Sequence, residues 1–144
     1  MKIIIEKPHE DEEEQIIVKC HNIGSELLNV LNSIKSQGNL LIAYIGNEIH
    51  RVNPTDVFYI ETVDNKTFFY CDKNVYESKQ KLYELEELAM ADFLRISKSV
   101  IVNLSKIKSL MPSMSGRLEA ALFNGEKVII SRQYVNELKK RFGI

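Results

Sequence analysis

Long apolar runs are missing from this chain. Nowhere in its 144 residues is there a stretch near the roughly 20 apolar residues of a membrane-spanning helix. No membrane insertion is therefore expected. The opening MKIIIEKPHEDEEE has three consecutive isoleucines before charge returns, which does not make a secretory leader. The cytoplasm is the expected compartment. Cysteine is scarce: Cys20 and Cys71 are the only two, and they lack C-x-x-C spacing. They make no metal site by themselves, and in a reducing compartment they read as free, partly buried thiols.

Catalytic motifs are missing too. There is no Gly-rich phosphate loop, no G-x-S-x-G and no H-E-x-x-H. His9, His21 and His50 are scattered, with no partners at ligand spacing. The acidic run His9–Glu14 lacks the spaced Asp/Asn and Gly of a calcium loop and reads as a solvated loop. The expectation is a protein without enzymatic activity, metal, cofactor or small-molecule substrate. A helix-turn-helix is also excluded, because the expected helices are separated by long strand-rich stretches.

What the chain does have is an uneven charge distribution. The net charge is only −1. Residues 1–94 carry 9 Lys/Arg and 17 Asp/Glu, a net of −8, whereas residues 95–144 carry 10 and 3, a net of +7. A basic C-terminal half of this kind suits a phosphate-bearing partner.

Read in order, 2–5 (KIII) and 15–19 (QIIVK) are β-branched runs that favour strands. Ser25–Ser36 reads as a helix with Leu27, Leu28, Leu31 and Ile34 on one face, capped by Ser25 and stopped at Gly38. A boundary is expected near Gly38, separating a small strand-strand-helix element (1–38) from the main domain (39–144). Leu40–Ile45 is a continuous apolar run, expected to be buried on both faces. Glu48–Val52, Asp56–Glu61, Thr67–Tyr70 and Val75-Tyr76 are short strands joined by polar turns such as Asp64-Asn65-Lys66, an antiparallel meander. A helix is expected over Ser78–Met90, with Leu82, Leu85 and Leu88/Ala89 on its inner face. Ile107–Met111 is a strand ending at Pro112. Leu118–Phe123 and Lys127–Ile130 flank Asn124-Gly125, a dipeptide that accepts φ > 0 at both positions of a tight hairpin. Ser131 opens a last helix, Arg132–Phe142, with Val135, Leu138 and Phe142 inward. Lys139, Lys140 and Arg141 either complement the dipole of its last turn or contact phosphate.

The organising stretch is Phe93–Leu104, FLRISKSVIVNL, two short strands around the polar turn Ser97-Lys98-Ser99. Together with S-R-Q-Y at Ser131–Tyr134 and the intervening Asn-Gly turn, it resembles the signature of the LytTR family of bacterial DNA-binding domains. The resemblance covers about the last hundred residues, roughly from Asn39, and the two motifs at this spacing are more specific than either alone. It implies a mainly β (α+β) fold, an elongated stack of three antiparallel sheets with short helices. Loops of that stack, not a recognition helix, enter the major groove. It implies a sequence-specific transcription regulator of double-stranded DNA, and, since members typically bind paired sites, a homodimer. Ser97 departs from the histidine common in the family. Familiar members also carry a receiver domain of over 100 residues where this chain has about 38, so a receiver-less regulator is expected.

Carried over position by position, the family's base contacts fall on Lys98 and Arg132, with a third on Asn65 or Lys66. Those residue types suit base edges: Arg or Lys for guanine, Asn for adenine. Ser97 and Ser99 are expected on the phosphate side. Arg95 alternates with Leu94 and Ile96, so it should point outward and touch phosphate, as should Lys139 and Lys140. A cation at a helix N-terminus is mildly unfavourable, which gives Arg132 a duty beyond the helix, unless it reaches Glu119 or Glu137. Asn103 is expected to close a turn after its strand. Two rival readings remain at this point: a protein-interaction module for a signalling or membrane partner, and single-stranded RNA binding through Phe68 and Tyr70.

Overall fold

The computed structural model describes residues 2–36, 40–87 and 92–144. The first element is α1 (Ser25–Ser36), where the leucine periodicity expects it. The runs 2–5 and 15–19 are not strands. A strand needs a neighbour to take its backbone hydrogen bonds, and no strand of either sheet pairs with them. The expected strand-strand-helix element is thus a helix with an irregular lead-in. Gly38 and Leu88/Ala89 lie outside the described residues.

Ten strands follow. β1 (Leu41–Ile45) and β2 (Glu48–Val52) form a hairpin about Gly46. β3 (Val57–Val63), β4 (Lys66–Cys71) and β5 (Val75–Ser78) are the expected meander. After the short helix α2 (Leu82–Glu87) come β6 (Phe93–Arg95) and β7 (Val100–Asn103). β8 (Ile107–Pro112), β9 (Leu118–Leu122) and β10 (Lys127–Ile130) precede α3 (Arg132–Phe142). All pairings are antiparallel. The larger sheet runs β2-β1-β5-β4-β3-β7-β6 and the smaller β10-β9-β8. Hydrogen bonding therefore gives two sheets where three were expected, because the single pair Tyr44 with Glu77 joins the first hairpin to the meander.

Several local expectations change. Helix α2 starts at Leu82, not Ser78, because Ser78 pairs with Thr67 as part of β5 and its hydroxyl accepts from Gln80 N at 3.1 Å. β1 alternates between buried and exposed, with Ile42 46% exposed, so only one of its faces is covered. The Asn124-Gly125 connection is a looser loop than a two-residue turn. Gly125 has φ +88 and Asn124 does not reach positive φ. Gly125 N donates to Leu122 O at 3.0 Å, and Asn124 Oδ1 accepts from Glu126 N at 3.0 Å, a side-chain turn added to the backbone one. Two successive left-handed residues do form the β3–β4 turn, Asp64-Asn65, at φ 51 and 63.

The larger sheet is covered on both sides around β3 and β7. On one side Val57, Ile60, Phe69 and Ile101 pack with Leu82 and Leu85 of α2. On the other, Phe58, Ile96 and Val102 pack with Leu118, Ala120, Leu122 and Ile130 of the smaller sheet and Leu138 of α3. Adjacent residues of one strand point to opposite faces. Ile101 and Val102 of β7 consequently join two different cores, which ties the organising stretch to the whole body.

Candidate nucleic-acid interface

The Ser97-Lys98-Ser99 turn hangs between β6 and β7, and the residues around it fix its shape. Ile96 is fully buried and its N–H donates to Val100 O at 3.0 Å. Ser97 Oγ accepts from Ser99 N at 3.2 Å. Arg95 does not reach outward for phosphate as expected. Its Nε donates to Ser97 O at 2.7 Å, its Nη2 to Lys98 O, and its Nη1 pairs with Glu86 Oε2 of α2 at 2.7 Å. The planar guanidinium fork reaches two carbonyls and a carboxylate together, so Arg95 holds the turn from behind. Glu86 was not foreseen, since nothing local in the sequence links it to Arg95. With these groups held, Lys98 projects from the turn, exposed and with no ion pair among the described residues.

The turn is tied to both other candidate segments through the backbone. Thr62 N donates to Ser99 O at 2.9 Å. Thr62 lies three residues before Asn65, so the Asp64-Asn65 turn stands at the same end of the sheet as the Lys98 turn. Asn65 and Lys66 are both exposed there. On the other side, Ser131 N donates to Ile96 O at 2.8 Å. That bond places the start of α3, and with it Arg132, beside the same turn. Ser131 precedes the helix with extended backbone but makes no side-chain cap; its N–H is spent on the sheet instead.

Arg132 is exposed and reaches neither Glu119, which pairs with Lys127 at 3.3 Å, nor Glu137. Along α3, positions seven apart recur on one line two turns, or about 10.5 Å, away. Arg132 and Lys139 therefore share a stripe beside the buried Leu138. Lys139 and Lys140 are exposed at the end where Gly143, at φ 74, closes the helix by donating to their carbonyls. The three turns thus present an arginine, lysines and an amide, all donors suited to base edges and phosphates.

The remaining candidates have structural duties. Asn103 is fully buried, donates to Val57 O at 2.8 Å, and accepts from Ser105 N at 3.1 Å and Ser105 Oγ at 2.7 Å, the turn closure expected of it. Tyr70 lies flat on Tyr59, with ring centroids 4.4 Å apart. Burial, followed by the Glu126 carboxylate beside it, pushes the Tyr59 phenol far above its ordinary value. These rings are engaged with each other, which disfavours them as a platform for bases. His50 Nε2 lies 3.0 Å from Glu48 Oε2 on the outer hairpin. Among the described residues no group of His, Cys, Asp and Glu could hold a metal ion, and no helix is long and apolar enough to cross a membrane.

Residues 47–143 match the family model of the LytTr DNA-binding domain. The fold is similar to the solved LytTr DNA-binding domain of a Bacillus cereus protein, with a TM-score of 0.69 and 28% identity. That similarity covers 73% of this chain and 97% of the other. Among curated proteins, uncharacterized HTH-type transcriptional regulators of Staphylococcus aureus strains NCTC 8325 / PS 47 and COL are 29% identical over 126 residues. They match 88% of this chain, which spans 85% of their length. Despite that naming, no two consecutive helices among the described residues form a helix-turn-helix, since strands separate α1, α2 and α3. The chain belongs to the LytTr DNA-binding domain family.

Proposed function

We propose that the protein is a transcription regulator that binds double-stranded DNA sequence-specifically and reads the major groove from three turns. Lys98, Arg132 and Asn65 or Lys66 contact base edges. Ser97, Ser99, Lys139 and Lys140 contact phosphates, and Arg95 acts by holding the Lys98 turn. The observation that carries this reading is the pair of backbone hydrogen bonds, Thr62 to Ser99 and Ser131 to Ile96. They gather the family's two motifs and the β3–β4 turn at one place on a rigid sheet. The test is a salt titration of binding with variants. Arg132→Ala should cost about 1–3 kcal/mol and flatten the preference at one base position. Lys139→Ala should weaken all sequences alike and reduce the salt slope by about one. Uniform losses from both changes would contradict base reading by Arg132.

The protein acts in the cytoplasm as a homodimer, with residues 1–38 supplying the contact and 39–144 the DNA-binding body. Support comes from α1, whose Leu28 and Ile34 are exposed, and from the exposed Ile3, Ile4, Ile5, Ile16 and Ile17 ahead of it. Apolar surface of this kind favours burial against a partner. Deleting residues 1–37 should leave a folded monomer by light scattering. A truncated body that keeps the full-length assembly state would place the contact elsewhere.

A further inference from the structure

The turn between β8 and β9, Met114–Gly116, has two successive left-handed residues, Ser115 at φ 60 and Gly116 at φ 76. Ser113 N donates to Arg117 O at 2.9 Å and closes it. Leu118 pairs with Ile130, so this turn sits against the start of α3. A Cβ built on Gly116 would lie 3.0 Å from both Cγ and Cδ of Arg132. These are atoms in the middle of the arginine stem, not its free end. Arg132 therefore lays its stem on the bare α-carbon of Gly116, and its guanidinium leaves that seat toward solvent.

An unsupported arginine samples many rotamers and must lose them on binding. A stem seated on one side loses fewer, and its fork is aimed before the ligand arrives. We infer that Gly116 is a positioning residue for base readout: it seats Arg132, and any Cβ there redirects the guanidinium away from its base. This rests on the reading of Arg132 as a base contact. The left-handed backbone explains a glycine at 116 by itself, so the test must separate strain from seating.

Gly125 provides the control. It is also left-handed, at φ +88, but a Cβ there meets nothing within 4 Å. Gly116→Ala and Gly125→Ala both strain the backbone; only the first displaces Arg132. Wild type, both alanine variants and Arg132→Ala are each selected on randomised double-stranded DNA. Gly116→Asn and Gly125→Asn join the set, because asparagine tolerates the left-handed region while adding a Cβ. Gly116→Ala and Gly116→Asn should lose at least about fivefold in preference, and only at the base position that Arg132→Ala flattens, within the range of one bidentate contact. The Gly125 variants should keep the wild-type preference, and Gly116→Ala added to Arg132→Ala should change nothing further. Retained preference in the Gly116 variants, or an equal loss at every position, overturns the inference while leaving the Arg132 reading intact. If Arg132→Ala itself flattens no position, the Arg132 reading fails and the seating role fails with it.

Discussion

Asn103 shows how much one side chain can carry. It is the strand residue whose amide satisfies Val57 O and Ser105 at once, and burial makes each of those groups costly to leave unpaired. Asn103→Ala should destabilise the protein by about 1–3 kcal/mol in chemical denaturation; an unchanged midpoint would remove that role. Asn103 was legible in the sequence because a side-chain turn after a strand is a local pattern. The two cysteines were only half legible. Both are free, but Cys20 is exposed, where partial burial was expected, and Cys71 is half-buried. Burial, with Asp56 adding and Lys106 opposing, pushes the Cys71 thiol up to about 11 from its ordinary 9.0. At pH 8 Cys71 should therefore react with a thiol reagent far more slowly than Cys20, and only after unfolding at a comparable rate. Between those two values the unfolded chain releases the Cys71 proton and the folded chain keeps it. Cys71 thus makes stability fall as pH rises through about 9 to 11. Denaturation midpoints measured across that window should fall further in wild type than in Cys71→Ala; parallel falls would contradict this.

At the scale of elements, the Ser97–Ser99 turn depends on α2. Lysine at position 95 would keep the charge but lose the fork that reaches two carbonyls and Glu86. Arg95→Lys should lower DNA affinity about tenfold or more, because Lys98 would no longer be held. Glu86→Gln should have a much smaller effect, since a half-exposed ion pair contributes little. Equal, negligible effects of both changes on binding would mean the turn needs no clamp. The hairpin around this turn, the meander and α3 were readable from the sequence because period, turn residues and amphipathic spacing are local signals. What was not readable depends on distant partners. KIII and QIIVK have strand propensity but find no strand to pair with. Leu40–Ile45 is apolar throughout, yet its sequence does not say which of its faces is covered. Arg95 alternates like an outward residue, and only the direction of the Ser97 and Lys98 carbonyls turns it inward. The contact of Arg132 with Gly116 joins residues sixteen positions apart and has no sequence signature.

For the whole molecule, the −8 and +7 halves belong to one chain in which β3, β4, β6 and β7 share a sheet. The acidic half therefore limits where DNA can lie and favours the end that presents Lys98, Arg132 and α3. Each phosphate contacted should contribute a slope of about −0.9 to log affinity against log salt. Base reading from these turns is tested first by selection of purified protein on randomised double-stranded DNA at two salt concentrations. A short motif, repeated at about one-turn multiples, should be enriched, survive higher salt with weaker binding and lose one base position in Arg132→Ala. Binding that is salt-sensitive but enriches no motif, with Arg132→Ala behaving like Lys139→Ala, would contradict base reading from these turns.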